Sequence, residues 1–555
     1  MHDAFAKPSE KIAFVSCGPD DKHSFFFDLI ETDWKGNKPL HRLCSLMRKM
    51  KARAYTLEVL EPNAEIRDET VAATVRCDGI VTTTAKRITF FRSYPASTDW
   101  HDIDPNGVLA YAVLLRQDLP HPPSRFFILE SVVIPPALFV EGTAHSVSNY
   151  YPHCTRRFQT TLGYRDDHRD LELEGSFFCQ QNDLTHVCAH ACLRMAVNSS
   201  PTLALPQKLT NARINDLLGI DHRKDPATQV TRRVGHYNGD KCGGLTDPKI
   251  VEVIKKLGRG CHFVDFVDRP GIEYATFIYP LVESRLPVIL GIDAPGVSHV
   301  VTILGHTLNT DRWEPEAKLG YGSFPVTKYT SSAAWADHFL MSDDNFGMYV
   351  TLPSDMIRNF LVPDYNPNLH ASSAIALVPA GVSSISGILV EAYAASAAET
   401  IVAKTTPTAT NRWLAYLREP LSKGATRPRT VVCRTLMVTD KARYICQLGS
   451  GDSDGNVLPD DLKQRLESHL PDSFWLTEVT VPDLYTANKH KLGDVITKSD
   501  ATPDEFVKGD GRIFCWLPGL ARWGAGLPDP QEQWPLMAHV PLLRHADDSP
   551  PSLEW

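Results

Sequence analysis

The sequence lacks a strong excess of either charge. Its 57 basic and 66 acidic residues leave a formal net charge of −9 over 555 residues, too mild and of the wrong sign for a protein held to nucleic acid by bulk charge. No nucleic-acid partner is therefore expected. The chain also lacks a run of about 20 uninterrupted apolar residues, so no bilayer-spanning helix and no membrane role is expected. The opening MHDAFAKPSEKIAFVSC has no basic stretch leading into a long apolar core, and no secretory signal is expected from it. The closing DDSPPSLEW carries no lipidation motif. Twelve cysteines follow no regular framework, and without a signal segment they read as reduced thiols of a cytoplasmic protein. There is no internal repeat.

What is present is ordinary globular material. Hydrophobic residues make up 43% and charged residues 22%, enough for several packed cores in about two to four domains. Three regions differ in rhythm. Residues 1–170 read as a mixed α/β domain of unknown role. Strand-like runs at KIAFVSC (11–17), RITFFRS (87–93) and RFFILESVVI (125–134) alternate with the proline-rich LPHPPS (119–124). A basic amphipathic helix is expected over HRLCSLMRKMKARAY (41–55), its charges forming a solvated face. Residues 379–555 read as a second mixed α/β domain of unknown role. It begins at PAGVSSISG (379–387) and continues with a long helix (387–404), a break at TTPTATN, strands at TVVCRTLMV (430–438) and FWLTEVTV (474–481), and a helix in LPDDLKQRLESHL (458–470). From about 524 a proline-rich segment is expected to wrap over the surface.

Between them, residues 171–378 place helices first and strands second, an α+β order. A strand-like GSFFC (175–179) leads through QQNDLTH into a helix starting near Cys188. Further helices follow Thr210 and Thr246, the latter with Pro248 in its first turn and Gly258 near its stop. Strand-like runs then recur at CHFVDFV (261–267), PVILGID (287–293), HVVTILG (299–305), ADHFLMSD (336–343) and MYVTLP (348–353).

One constellation in this region carries chemistry. A thiol attacks an acyl carbon only as thiolate, which a helix N-terminus and a neighbouring histidine favour. The site also needs a base, a group that orients the base, and an oxyanion donor. Cys188 sits where polar loop turns into helix, with Gln180, Gln181 and Asn182 just upstream. His299 opens a strand about 110 residues later, and carboxylates follow in MSDDNFG (341–347). The order is Gln, Cys, His, Asp.

With CAHACL (188–193), GLTDPKIVEVIKKLG (244–258), LPVILGI (286–292), HVVTILG and the Asp343…Gly347 spacing, that order resembles the papain-like cysteine peptidase superfamily. The local texture is similar to its bacteriocin-processing, double-glycine-type peptidases and their non-transporter relatives. The resemblance covers about 175 residues. It implies a papain-like domain, a helical half plus an antiparallel sheet, flanked by the two mixed domains. It implies Cys188 as nucleophile, His299 as general base, Asp343 as the residue orienting it, and Gln181 as oxyanion donor. This chain departs from the pattern at Ala189, where glycine is frequent, and at Asp344, where proline is. Gln181 and Gln180 lie seven and eight residues before Cys188, and Asn182 holds the more usual sixth position. Gln180 and Asn182 therefore stay open as donors, and Asp344 and Asn345 as orienting groups. On a strand, Asp343 and Asp344 would point to opposite faces, so that only one could serve.

The same residues admit other readings. Cys192, a turn deeper in the helix, fits a core role, and His306 is a weaker base candidate than His299. The string His186-x-Cys188-x-His190-x-Cys192 invites zinc. On a helix, however, 188 and 192 share one face and 186 and 190 a nearly opposite one, so four ligands cannot converge on a tetrahedral ion. No metal and no cofactor is expected. Cys242-Gly-Gly reads as a turn. The expected function is a cysteine peptidase cleaving a peptide or isopeptide bond in a specific protein partner. The alternatives are an acyltransferase or transglutaminase using the same site, and an inactive papain-like module that binds peptides. The flanks, rich in runs such as RFFILESVVI, are expected to be folded and to restrict the cleft.

Overall fold

The protein is described here from a computed structural model. It describes the chain apart from residues 1–11, 17–33, 35, 78, 94–99, 121–123, 136–147, 152–153, 165–166, 183, 204, 221–244, 270–271, 295–296, 310–317, 320–327, 355–369, 384, 405–411, 422–430, 453, 525–531, 535–538 and 544–555. Cys242, the TTPTATN break and the extreme C-terminus lie outside the described residues. The fold is mixed α+β, built on three large sheets.

The first sheet is antiparallel, in the spatial order Ile12–Ser16, Ala54–Leu60, Thr82–Phe91, Val108–Asp118, Arg125–Val133, Asp167–Phe178, Arg156–Tyr164. The expected boundary at 170/171 falls inside the strand Asp167–Phe178, so this sheet runs on almost to the Cys188 helix. The second sheet runs Gly347–Pro353, His338–Asp343, Val297–Asn309, Val288–Ala294, His370–Val378, Gly260–Asp265, again antiparallel. A strand from before position 171, Ser148–Tyr151, pairs with the far end of Val297–Asn309. The third sheet is centred on Val431–Val438, Phe474–Thr480 and Gly493–Lys498, and it takes Lys328–Ser331 from the middle region as a parallel neighbour.

Helix Cys188–Ser199 lies between the first two sheets, against the strands Asp167–Phe178 and Val297–Asn309. One continuous apolar core runs from Leu40 and Phe90 through Leu193 and Ile289 to Trp475. The first two regions thus fold around a common interior. Helix Asn211–Leu218 begins as expected, Thr210 accepting from the Arg213 N–H, and Asp247–Lys256 follows Thr246 with Pro248 in its first turn.

The basic helix differs from expectation. It spans Lys38–Lys49, because Asn37 caps it by accepting from Leu40 N and Pro39 suits its first turn. Lys51, at a φ of 57°, ends the turn that follows, and Ala54 already begins a strand. Its face is not simply solvated: Leu40, Leu43, Cys44, Leu46 and Met47 are buried, and Arg42 donates to backbone carbonyls of the second sheet. Two further helices carry little apolar periodicity or contain proline: Ala64–Cys77, which buries only Ile66, Glu69 and Ala73, and Tyr274–Glu283, with Pro280 inside it. Of the segment after 524, Trp534, Leu542 and Leu543 are buried rather than superficial.

Helix Gly387–Lys404 buries Glu391 near the hydroxyls of Ser331, Thr435 and Tyr329. Burial pushes its carboxyl up to about 8, against the pull of those hydroxyls. Protonated Glu391 therefore supports the fold fully below its ordinary value, and that support is lost as pH rises through about 8. Glu391→Gln should be more stable than the parent by an increment that grows across this window, at about 1.4 kcal/mol per pH unit. Urea unfolding at several pH values checks this. A difference that stays flat with pH would show that Glu391 is ionised in the folded chain.

Candidate active site

The Cys188 helix is placed by packing along its whole length. Every residue after Cys188 is buried, whereas Cys188, at the first helical position, is half-exposed. Ser199 anchors the far end, exchanging hydrogen bonds with Phe177 N and O at 2.9 and 3.3 Å. In the middle, Cys192 Sγ donates to Val300 O at 3.1 Å and Thr302 Oγ1 donates to Cys192 O at 3.2 Å. Residues four apart share a helical face. Cys188 therefore sits one turn further along the same contact, beside His299, close enough for its sulfur to favour a proton on the imidazole. Burial pushes the Cys192 thiol well above its ordinary value, which matches the core role read from sequence.

His299 is held from its other side by the strand His338–Asp343. The register Thr302–Ser342 and Ile303–Met341, continued one step, puts Asp343 diagonal to His299 on the same face. His299 Nε2 lies 3.3 Å from Asp343 Oδ2 and 3.5 Å from Asp344 Oδ1. Both carboxylates reach one imidazole, which corrects the expectation that they would diverge. The strand ends at Asp343 and Asp344 opens a turn, so strand alternation stops one residue too early to separate them. Asp343 also ties that turn together, its Oδ1 accepting from Asn345 N at 2.7 Å and Phe346 N at 3.2 Å.

Burial alone would disfavour a charged imidazole here. The hydrogen bonds to Asp343 and Cys188, with the charges of Asp344 and of a Cys188 thiolate, outweigh it and push His299 up to about 11. His299, Asp343 and Asp344 bring ligand atoms within 4.8 Å of one another, the one grouping of metal-ligating types found among the described residues. A divalent cation there would compete with the imidazolium for the same carboxylates.

The three upstream amides have separate fates. Gln180 Oε1 is occupied, accepting from Asn37 Nδ2 at 2.9 Å and Ile128 N at 3.2 Å. Buried Asn182 is also occupied, its Oδ1 accepting from the N–H groups of Leu184, Thr185 and His186. Gln181 is half-exposed, and its Nε2 points at Asn345 Oδ1, 3.5 Å away, on the turn that follows Asp343. Asn345 itself is exposed.

The zinc-like string disperses. His186 Nε2 lies 3.3 Å from Glu69 Oε2, His190 Nε2 lies 3.0 Å from Asn215 Oδ1, Cys188 meets His299 and Cys192 meets Val300. His306 is buried against Glu283 at 3.0 Å, away from Cys188 in the sheet. Sequence reasoning assigned nothing to the first region. Yet Asn37, Glu69 and Arg125 hold the Gln180–His186 loop, the last donating to Asn182 O at 2.5 Å. The Asn-Lys-Pro helix start at 37–39 was the available signal. Comparison of the sequence with protein-family models and with characterised proteins finds no match.

Proposed function

We propose that this chain is a cysteine hydrolase of papain-like organisation, acting on a peptide or isopeptide bond of a protein partner. One observation carries the reading: the single half-exposed residue of a buried helix is a cysteine at its first turn, beside a histidine backed by carboxylates.

In this reading His299 Nε2 serves Asp343, and Nδ1 serves the sulfur. The Cys188 thiolate attacks the carbonyl carbon. Negative charge on the carbonyl oxygen is met by the Gln181 amide and the Cys188 N–H, at a helix start whose Val187 cap offers no side-chain acceptor. The His299 imidazolium passes its proton to the departing amine as the C–N bond breaks. Neutral His299 then takes a proton from water, which attacks the thioester and frees the acid and the thiol.

The test is iodoacetamide at pH 6, where ordinary thiols react slowly because only the thiolate is nucleophilic. Peptide mapping should find Cys188 modified first, ahead of the exposed Cys446, and His299→Gln should remove that priority. Preferential labelling of Cys446 with Cys188 inert would defeat the proposal. Loss of activity on chelation, with Cys188 dispensable, would transfer the chemistry to a metal held by His299, Asp343 and Asp344.

A further inference from the structure

The turn that carries both carboxylates is fastened from outside its own sheet. Beyond Asp343 the chain continues through Asp344, Asn345 and Phe346 into the strand Gly347–Pro353. Gly347 has a φ of +107°, and a Cβ there would lie 2.8 Å from Arg42 Cβ and 3.3 Å from Pro39 Cα. Only glycine permits both that backbone and that approach to the helix Lys38–Lys49. Tyr349 follows at a φ of 51°, a left-handed conformation that is strained for a residue with a side chain.

Contacts from Arg42, Lys38 and Val133 of the first region, with one from Ser176, hold this strained segment. Arg42 donates from Nε to Met348 O at 3.2 Å and from a terminal nitrogen to Tyr349 O at 2.6 Å. The Tyr349 hydroxyl donates to Val133 O at 2.8 Å and accepts from Ser176 N at 3.3 Å. Lys38 Nζ lies over the Phe346 ring, 5.1 Å from its centroid. A guanidinium fork serving two successive carbonyls fixes direction as well as distance.

We infer that Arg42 is a positioning residue for the active site: by clamping Met348 and Tyr349 it sets where the Asp343–Asp344 turn presents its carboxylates to His299. The inference rests on the proposed Cys188–His299–Asp343 site and assigns part of that site to the first region. Arg42 touches neither His299 nor the reacting atoms in this account; it acts through the turn.

The experiment follows the His299 imidazole by NMR in the full chain with labelled histidine, its signal identified by its loss in His299→Gln. In the parent protein the ring should stay protonated through pH 9. In Arg42→Ala it should titrate at least one pH unit lower, because the carboxylates retreat while burial remains. Arg285→Ala is the control. It removes another guanidinium-to-carbonyl tie, to Thr155 O at 3.1 Å, and should leave His299 unmoved. A parent His299 that titrates at its ordinary value overturns the site reading itself. A raised parent value unchanged in folded Arg42→Ala, or lowered equally by Arg285→Ala, overturns the inference alone. If Arg42→Ala does not fold, Arg42→Lys replaces it: one ammonium in place of the fork should give a smaller downward shift, and no shift overturns the inference.

Discussion

Asp343→Ala should lower turnover of an activated-ester or peptide reporter by on the order of 10⁴-fold, since a base in the wrong tautomer and orientation loses about that much in comparable triads. Asp344→Ala should cost far less. Both carboxylates reach His299 Nε2, at 3.3 and 3.5 Å. Only Asp343 also accepts from Asn345 N and Phe346 N, so its removal frees both the imidazole and the turn. Asp343→Asn should fall between the two. Its one amide oxygen can serve the turn or the imidazole, and its amide hydrogens repel whichever donor remains. Alkylation of Cys188 should persist in all three variants, because the thiol and its helix stay in place. An Asp344→Ala variant that loses activity while Asp343→Ala keeps it would move the orienting role to Asp344.

The largest expected loss of stability lies far from Cys188. A buried chain of charges links the middle and third regions. Arg434 donates to Glu283 Oε2 at 2.7 Å and to Glu478 Oε2 at 2.6 Å, and Lys491 bridges Glu478 and Asp494 at 2.9 Å each. Tyr279 donates to Glu283 Oε1 at 2.6 Å, while Tyr444 and Trp516 donate to Asp494 Oδ2. Arg434→Met would leave Glu283 and Glu478 buried without their common cation. Breaking one partner of such a pair costs about 3–5 kcal/mol. A large fall in the urea midpoint should follow, and Arg434→Lys should recover only part of it, since one ammonium cannot reproduce the fork. An unchanged midpoint would mean that water or rearrangement compensates both carboxylates.

Much of this arrangement was legible locally. Thr210 and Thr246 marked helix starts, the polar-to-apolar change marked Cys188, and β-branched runs marked the strands of the second sheet. Local signals failed where a distant residue decides. What holds the Gln180 side chain is Asn37, 143 positions earlier. The relation of Asp343 to Asp344 depends on where a strand stops, and no periodic pattern fixes the last residue of a strand. Ala64–Cys77 escaped notice because the few side chains it buries include Glu69, which meets His186 and Asn211. A polar residue buried for a long-range partner looks, in sequence, like a surface residue.

The charged chain between the middle and third regions closes on a late piece of the polypeptide. Leu543 N–H donates to Glu478 Oε1 at 2.6 Å, and Arg434 donates to Leu543 O at 3.1 Å. During synthesis, Glu283 would wait for Arg434, and both would wait for the stretch that delivers Leu543. A nascent chain already holding Cys188, His299 and Asp343 would still lack the tie that fixes the third region beside them. Full assembly thus waits for Leu543, two hundred positions after the last residue of the proposed catalytic set, Asp343.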